Sequence, residues 1–184
     1  MDLELTDCTA IVTASSRGIG YAAAEQLLKE GANVTICSRS EESVTEAAEA
    51  LADATNVDDR RILPVACDIT EREQIDKLVE KTVDTFGGVD VHLNNHGGPP
   101  AVTFEEATDE QWEESYRSVI SSTRWLTEAV LPQLEESDMG SLITVTSASA
   151  RESPRGHAIS NVFRLGLYGL VKTISKEYAP SVRS

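Results

Sequence analysis

Short apolar runs alternate along this chain with segments whose apolar residues return every three or four positions. The runs Thr9 to Thr13, Asn33 to Cys37, Ile62 to Ala66, Val89 to Leu93 and Ser141 to Thr146 are rich in β-branched and other apolar residues. That is the composition of strands buried on both faces. A helix is predicted from Tyr21 to Glu30, behind the first run. Thr70-Glu-Arg-Glu73 has the form of a capping box, and Ile75, Leu78, Val79, Val83 and Phe86 follow at helical spacing until Gly87-Gly88. A second box, Thr108-Asp-Glu-Gln111, opens a longer predicted helix through Trp112, Tyr116, Val119, Leu126 and Val130 to Pro132. The last runs from about Ala158 to Tyr178, with Pro180 beyond it. This alternation predicts an α/β fold, a Rossmann-type doubly wound parallel sheet with helices on both faces, in a single domain over residues 1–184.

Composition narrows the function without changing the fold. With 184 residues and 40% hydrophobic content, the chain can bury one full core. Its formal charge of −15, from 31 acids against 16 bases, argues against a nucleic-acid partner, whose phosphates would be repelled. The acids are spread out, with clusters at Glu41-Glu42, Asp58-Asp59 and Glu135-Glu136. Such a surface repels itself and is relieved by salt, so a halophilic protein is expected, the alternative being an acidic surface with no need of salt. No leader and no membrane-length apolar run is present in the sequence, so a cytoplasmic protein is expected. Cys8, Cys37 and Cys67 lack C-x-x-C spacing and are expected to be reduced core residues, with no metal site.

After the first predicted strand comes Thr13-Ala-Ser-Ser-Arg-Gly-Ile-Gly20, leading into a helix. Glycines in such a turn let the backbone and the helix N-terminus approach a pyrophosphate, whose charge the N–H groups favour. Thr13, Ser15, Ser16, Arg17, Gly18, Ile19 and Gly20 are therefore candidate nucleotide contacts, the alternative being a purely structural turn. At the end of the second strand, where NAD enzymes place an acid, stands Ser38-Arg39-Ser40. A guanidinium there suits the extra 2′-phosphate of NADP, and Arg17 in the glycine loop is a second candidate for the same group, the alternative being that both arginines are solvated surface charges. NADP is the expected cofactor, with NAD second.

The loop resembles the T-G-x-x-x-G-x-G of the short-chain dehydrogenase/reductase family, with Ala14 at the first glycine. The resemblance covers the whole chain. It extends to Asp68 and Ile69 after the third strand, where the family holds the adenine, although capping a helix is an equal claim on Asp68. It also extends to Asn94-Asn95-His96-Gly97, similar to the family's N-N-A-G beside the ribose, which adds Asn95, His96 and Gly97 to the cofactor candidates. The runs Gly97-Gly98-Pro99-Pro100 and Ser160-Asn161-Val162 are most similar to a divergent subgroup resembling β-ketoacyl-carrier-protein reductases.

The resemblance implies a catalytic serine ending the fifth strand, a tyrosine thirteen residues on, a lysine four further, and an asparagine in the preceding long helix. Ser147 fits, but the same counts reach Ser160 and Arg164, and the asparagine position holds Val119. Ser147, Ser160 and Arg164 are the candidate catalytic set. A serine is a far poorer acid than a phenol, and an arginine stabilises negative charge without giving up a proton. A proton would then come from water or another side chain, with His96 and His157 as candidates and an ordinary loop histidine as the alternative for each. Tyr168 lies ~12 Å further along the last helix than Ser160 and is a poor substitute.

The implied function is an NADP-dependent oxidoreductase acting on a small carbonyl or alcohol substrate. The alternatives are a nucleotide-binding or assembly module without turnover, and a truncated remnant. Family members continue with two more strands and a substrate-covering segment, so the chain is expected to lack the last strands and to leave one edge of the fifth unpaired. The two long helices, around Gln111 to Leu134 and Ala158 to Tyr178, are expected to pair in a homo-oligomer.

Overall fold

The computed structural model describes residues 4–184. Five parallel strands, β1 (Thr9–Val12), β2 (Asn33–Ser38), β3 (Ile62–Ala66), β4 (Val91–Asn94) and β5 (Ser141–Thr144), lie in the order β3-β2-β1-β4-β5. The order reverses between β1 and β4, the crevice in which open α/β sheets bind their ligands. The alternating α/β reading and its parallel sheet therefore hold.

Register decides which side chains meet which helices. Ile11 lies opposite Thr35 and His92, and His92 lies opposite Leu142, so these residues share one face. That face packs Ile11, Cys37, Val65 and Leu142 against Ile75 and Leu78 of α3 (Arg72–Phe86) and Leu126, Val130 and Leu134 of α5 (Ser122–Glu136). The other face packs Ala10, Val12, Val34, Ile36, Val91 and Leu93 against Ala24 and Leu28 of α1 (Gly18–Lys29) and Val44 and Leu51 of α2 (Glu41–Thr55). Cys8, Cys37 and Cys67 are buried free thiols, as expected.

Four local expectations are corrected. Thr70 does not cap α3: its backbone N–H and hydroxyl both donate to Asp68 Oδ1, at 2.9 and 2.8 Å, and Glu71 becomes the N-cap without a side-chain bond. The turn that closes β3 has claimed the hydroxyl the box required. The second box does form, with Thr108 and Gln111 bonded reciprocally, but the helix it opens is not uniform. α4 (Asp109–Ser115) passes through a wide π-helical stretch, Tyr116–Ser121, into α5. Third, Pro132 does not end that helix, which continues to Glu136, where its face is still buried through Leu134. Fourth, the outer edge of β5 is covered at its start, where Arg183 pairs with Ser141 in parallel. Leu142 N–H donates to Arg183 O at 2.7 Å and Arg183 N–H to Gly140 O at 2.9 Å.

A short helix α6 (Ser149–Glu152) leads to α7 (Ala158–Glu177), which ends at Tyr178 as the sequence predicts. No described helix is long and apolar enough to cross a membrane.

Candidate functional site

The turn after β1 is built by hydrogen bonds that leave its backbone facing the crevice. Ser15 donates from Oγ to Val12 O at 2.7 Å and accepts from Cys37 N–H at 3.0 Å, while its own N–H donates to Cys37 O. Thr13 Oγ1 donates to Asn95 O and accepts from Asn95 N–H, both at 2.8 Å. Both side chains are fully buried, so Thr13 and Ser15 shape the loop from beneath rather than meeting a nucleotide with their hydroxyls. Ser16, Arg17, Gly18 and Ile19 are the accessible residues, Ile19 being 63% exposed.

Two loop positions are set by backbone geometry. Ala14 has φ +48°, a left-handed conformation that a side chain makes unfavourable and that the glycine of the family pattern adopts freely. Gly20 has no room for a side chain: a Cβ there would stand 2.6 Å from Ala14 O and 2.9 Å from Ser15 Cα. This cradle, followed by the N-terminus of α1, fits a dinucleotide pyrophosphate. Asn95 closes it by donating from Nδ2 to Ala14 O at 3.2 Å.

Arg17 and Arg39 are exposed, and neither side chain has a hydrogen bond or ion pair among the described residues. Ser40, next to Arg39, caps α2 by accepting from Ser43 N–H at 3.2 Å. Two uncommitted guanidinium groups near a helix N-terminus suit a ribose phosphate. Asp68 has Oδ1 committed to Thr70, and its N–H donates to Gln74 Oε1 at 2.9 Å. Ile69 beside it is half-buried.

The three candidate catalytic residues come together where β4 and β5 end. Ser147 is exposed just beyond β5, its Oγ accepting from Ser149 N–H at 3.2 Å. Ser160 and Arg164 lie one turn apart on α7, both buried. Arg164 Nη1 donates to Val145 O at 3.0 Å, and Thr146 Oγ1 donates to Arg164 O at 3.3 Å, which stitches the turn Ser160–Arg164 to the strand end that carries Ser147. Val119, at the expected asparagine position, is fully buried within the π-helical stretch, where its carbonyl accepts from Thr123 Oγ1 at 2.7 Å.

His96 belongs to this cluster in a way that its place in the sequence did not disclose. Nδ1 lies 2.8 Å from Gly97 O, so it carries the ring proton, and Nε2 faces Arg164 Nη1 at 3.3 Å as an acceptor. Burial first, and then the charge of Arg164, hold its pKa down at about 4, so the ring is neutral near pH 7. A proton donor is therefore not what His96 supplies; it orients a guanidinium. The signal lay in two coupled departures from the family pattern, histidine for alanine and arginine for lysine, which the structure places in contact. His157, the other histidine candidate, sits at the N-cap of α7 without a side-chain capping bond.

β4 and β5 also hold polar atoms that the sequence did not single out. His92 is fully buried in β4 with both ring nitrogens unpartnered among the described residues, and burial lowers its pKa to about 4. Asn94 Oδ1 and Thr144 Oγ1, from residues directly opposite each other in β4 and β5, are likewise unpartnered. No group of histidines, cysteines and acids suited to a metal ion occurs among the described residues.

Comparison with known proteins agrees with this fold. The chain is 30% identical over 177 residues to dehydrogenase/reductase SDR family member 4 of Homo sapiens, covering 96% of this chain and 62% of that protein. It is 34% identical over 179 residues to tropinone reductase-like 3 of Erythroxylum coca, covering 95% and 66%. The chain thus spans a little under two thirds of the length of the human relative. Its fold superimposes with a TM-score of 0.93 and 32% identity on an NADPH-bound short-chain oxidoreductase of Pseudomonas aeruginosa PAO1 described as containing an atypical catalytic center, covering 97% of this chain and 69% of that one. An L-sorbose reductase of Gluconobacter frateurii complexed with NADPH and L-sorbose gives the same TM-score and identity, covering 100% and 69%. The family model for short chain dehydrogenase matches residues 8–183, and the chain belongs to that family.

Proposed function

We propose that this chain is the nucleotide-binding and reacting part of an NADP-dependent oxidoreductase that interconverts a carbonyl and an alcohol in a small molecule. The observation that carries this reading is the bond from Arg164 Nη1 to Val145 O, which ties the turn Ser160–Arg164 to the strand end bearing Ser147, with His96, the neighbour of the Asn95 that closes the glycine cradle, on the same guanidinium. Two relatives of the same fold bind NADPH, one of them with an atypical catalytic centre, which supports both the cofactor and an unusual residue set. Arg17, Gly18, Ile19 and Gly20 would hold the pyrophosphate, Arg39 the 2′-phosphate, Asp68 and Ile69 the adenine side, and Asn95, His96 and Gly97 the ribose side.

NADPH, when bound, supplies the hydride. The chain's own residues supply position and charge. Ser147, exposed at the end of β5, donates its hydroxyl to the substrate oxygen, with Ser160 lining the site beneath it. Arg164 stabilises negative charge on that oxygen, held by Val145 O and His96 Nε2. The proton that completes reduction comes from water, since none of these groups gives one up readily near neutral pH. Substrates with 3-oxoacyl groups are among the candidates, from the resemblance to carrier-protein reductases.

The reading includes a homo-oligomer through the two long helices, and it is supported by Tyr116 on the π-helical stretch and Val162, Leu165 and Tyr168 on α7, each at least half exposed. Light scattering on the purified chain tests it, a monomer overturning it. The reading itself is tested by titrating the chain with NADPH and NADH and following oxidation of NADPH with a carbonyl panel. Tight NADPH binding with turnover is expected. Binding without turnover favours the second reading, a nucleotide-binding module, which the replacement of tyrosine, lysine and asparagine by Ser160, Arg164 and Val119 supports.

A further inference from the structure

Arg164 is a buried cation without a counter-charge. It is 7% exposed, and its bonded partners are Val145 O, Gly97 O and the neutral ring of His96. Its Nε is buried with no partner, and none of the ion pairs among the described residues includes it. A guanidinium taken out of water is unfavourable unless an opposite charge or well-placed acceptors compensate it, and carbonyl dipoles do so only in part. Its pKa is accordingly lowered by burial.

This happens in a chain where acids outnumber bases 31 to 16, so a carboxylate was the easiest group for the sequence to place there. The local composition runs the other way. From Ser147 to Arg164 the sequence carries Arg151, Arg155 and Arg164 against a single acid, Glu152. Arg151 and Arg155 are exposed on the segment between β5 and α7, and neither side chain has a hydrogen bond or ion pair among the described residues. Both lie in the segment that joins Ser147 to α7, the two elements that carry the candidate catalytic residues.

We propose that the site takes an anionic carbonyl substrate, one with a carboxylate near the reacting carbonyl, and that Arg151 and Arg155 draw in this charge while Arg164 receives it. The inference rests on the reading of this site as a reducing centre. The missing counter-charge would then arrive with the substrate, and a neutral isostere would leave the cation uncompensated.

The test uses the full chain saturated with NADPH and two matched pairs of probes, pyruvate and acetoacetate against their methyl esters. Calorimetric binding and NADPH oxidation are both measured. Each acid is expected to bind at least ~10-fold more tightly than its ester, the effect of about one charge-assisted hydrogen bond. In the double variant Arg151→Gln/Arg155→Gln that advantage should shrink severalfold, read as a rise in the KM of the acid toward that of its ester. Arg164→Gln should abolish the remainder. Equal binding of acid and ester, tighter binding of the ester, or binding of neither overturns the proposal. Acid-selective binding without NADPH oxidation would keep it and overturn the oxidoreductase reading instead.

Discussion

The two halves of the sheet treat their buried polar groups in opposite ways. In the β1–β3 half the buried hydroxyls are spent: Thr13 on Asn95, Ser15 on Val12 and Cys37, and Thr82 of α3 on Thr35 at 3.0 Å. In the β4–β5 half lie all the buried side-chain atoms without a partner among the described residues: His92 Nδ1 and Nε2, Asn94 Oδ1, Thr144 Oγ1, Asn161 Oδ1 and Arg164 Nε. On the function proposed above, the difference is one of purpose. A pyrophosphate is bound by backbone N–H groups and a helix terminus, so the side chains below it serve as scaffold. A reacting centre needs polar side chains that are not already satisfied, and their stability cost is borne by the well-packed remainder.

The sharpest break between the halves should come with acid. His92 and His96 both lie in the β4–β5 half, with pKa values lowered from 6.5 to about 4. A lowered histidine pKa means that the folded protein binds fewer protons than the unfolded chain between those values. Stability is thus full above about pH 6.5 and falls as pH drops through that window, by up to ~1.4 kcal/mol per pH unit for each ring. Denaturant unfolding from pH 7 to 4 should show this slope, and His92→Leu should roughly halve it. An unchanged slope in that variant would contradict the assignment.

Arg164→Met separates activity from stability. Turnover should fall at least ~100-fold, whereas the melting temperature should hold or rise, because replacing an uncompensated buried charge by an apolar side chain is often neutral or stabilising. In the other half the balance reverses. Gly20→Ala forces a Cβ to 2.6 Å from Ala14 O, so NADPH affinity should drop more than ~10-fold and stability by about 1–3 kcal/mol. Arg39→Asp should weaken NADPH by about 10-fold while leaving NADH unchanged or improved, read by fluorescence titration. The smallest effect is expected at Ala14, where glycine relieves the left-handed strain at φ +48° and should add about 1 kcal/mol of stability in a melting scan.

The acidic surface offers a further contrast between dilute and molar salt. We propose that salt stabilises the chain by screening a net charge of −15, which the same melting scans would show as a higher midpoint in molar salt.

The sequence by itself determined the α/β alternation, the strand positions to within about two residues, the glycine loop and the paired departures Ser160 and Arg164. These are local signals: apolar runs, glycine spacing and helical periodicity are written in neighbouring residues. It misjudged Thr70 and Pro132, where one hydroxyl had two possible partners and one helix had a buried face to complete. Tertiary structure alone decided that Thr13 and Ser15 turn inward, that Arg183 lines the edge of β5, and that His96 faces Arg164 across 68 positions of sequence. Only when the loop after β4 meets α7 does a histidine become the neutral partner of a buried guanidinium. No spacing rule along the chain encodes that contact, because it is produced by the register of the sheet and the packing of a helix upon it.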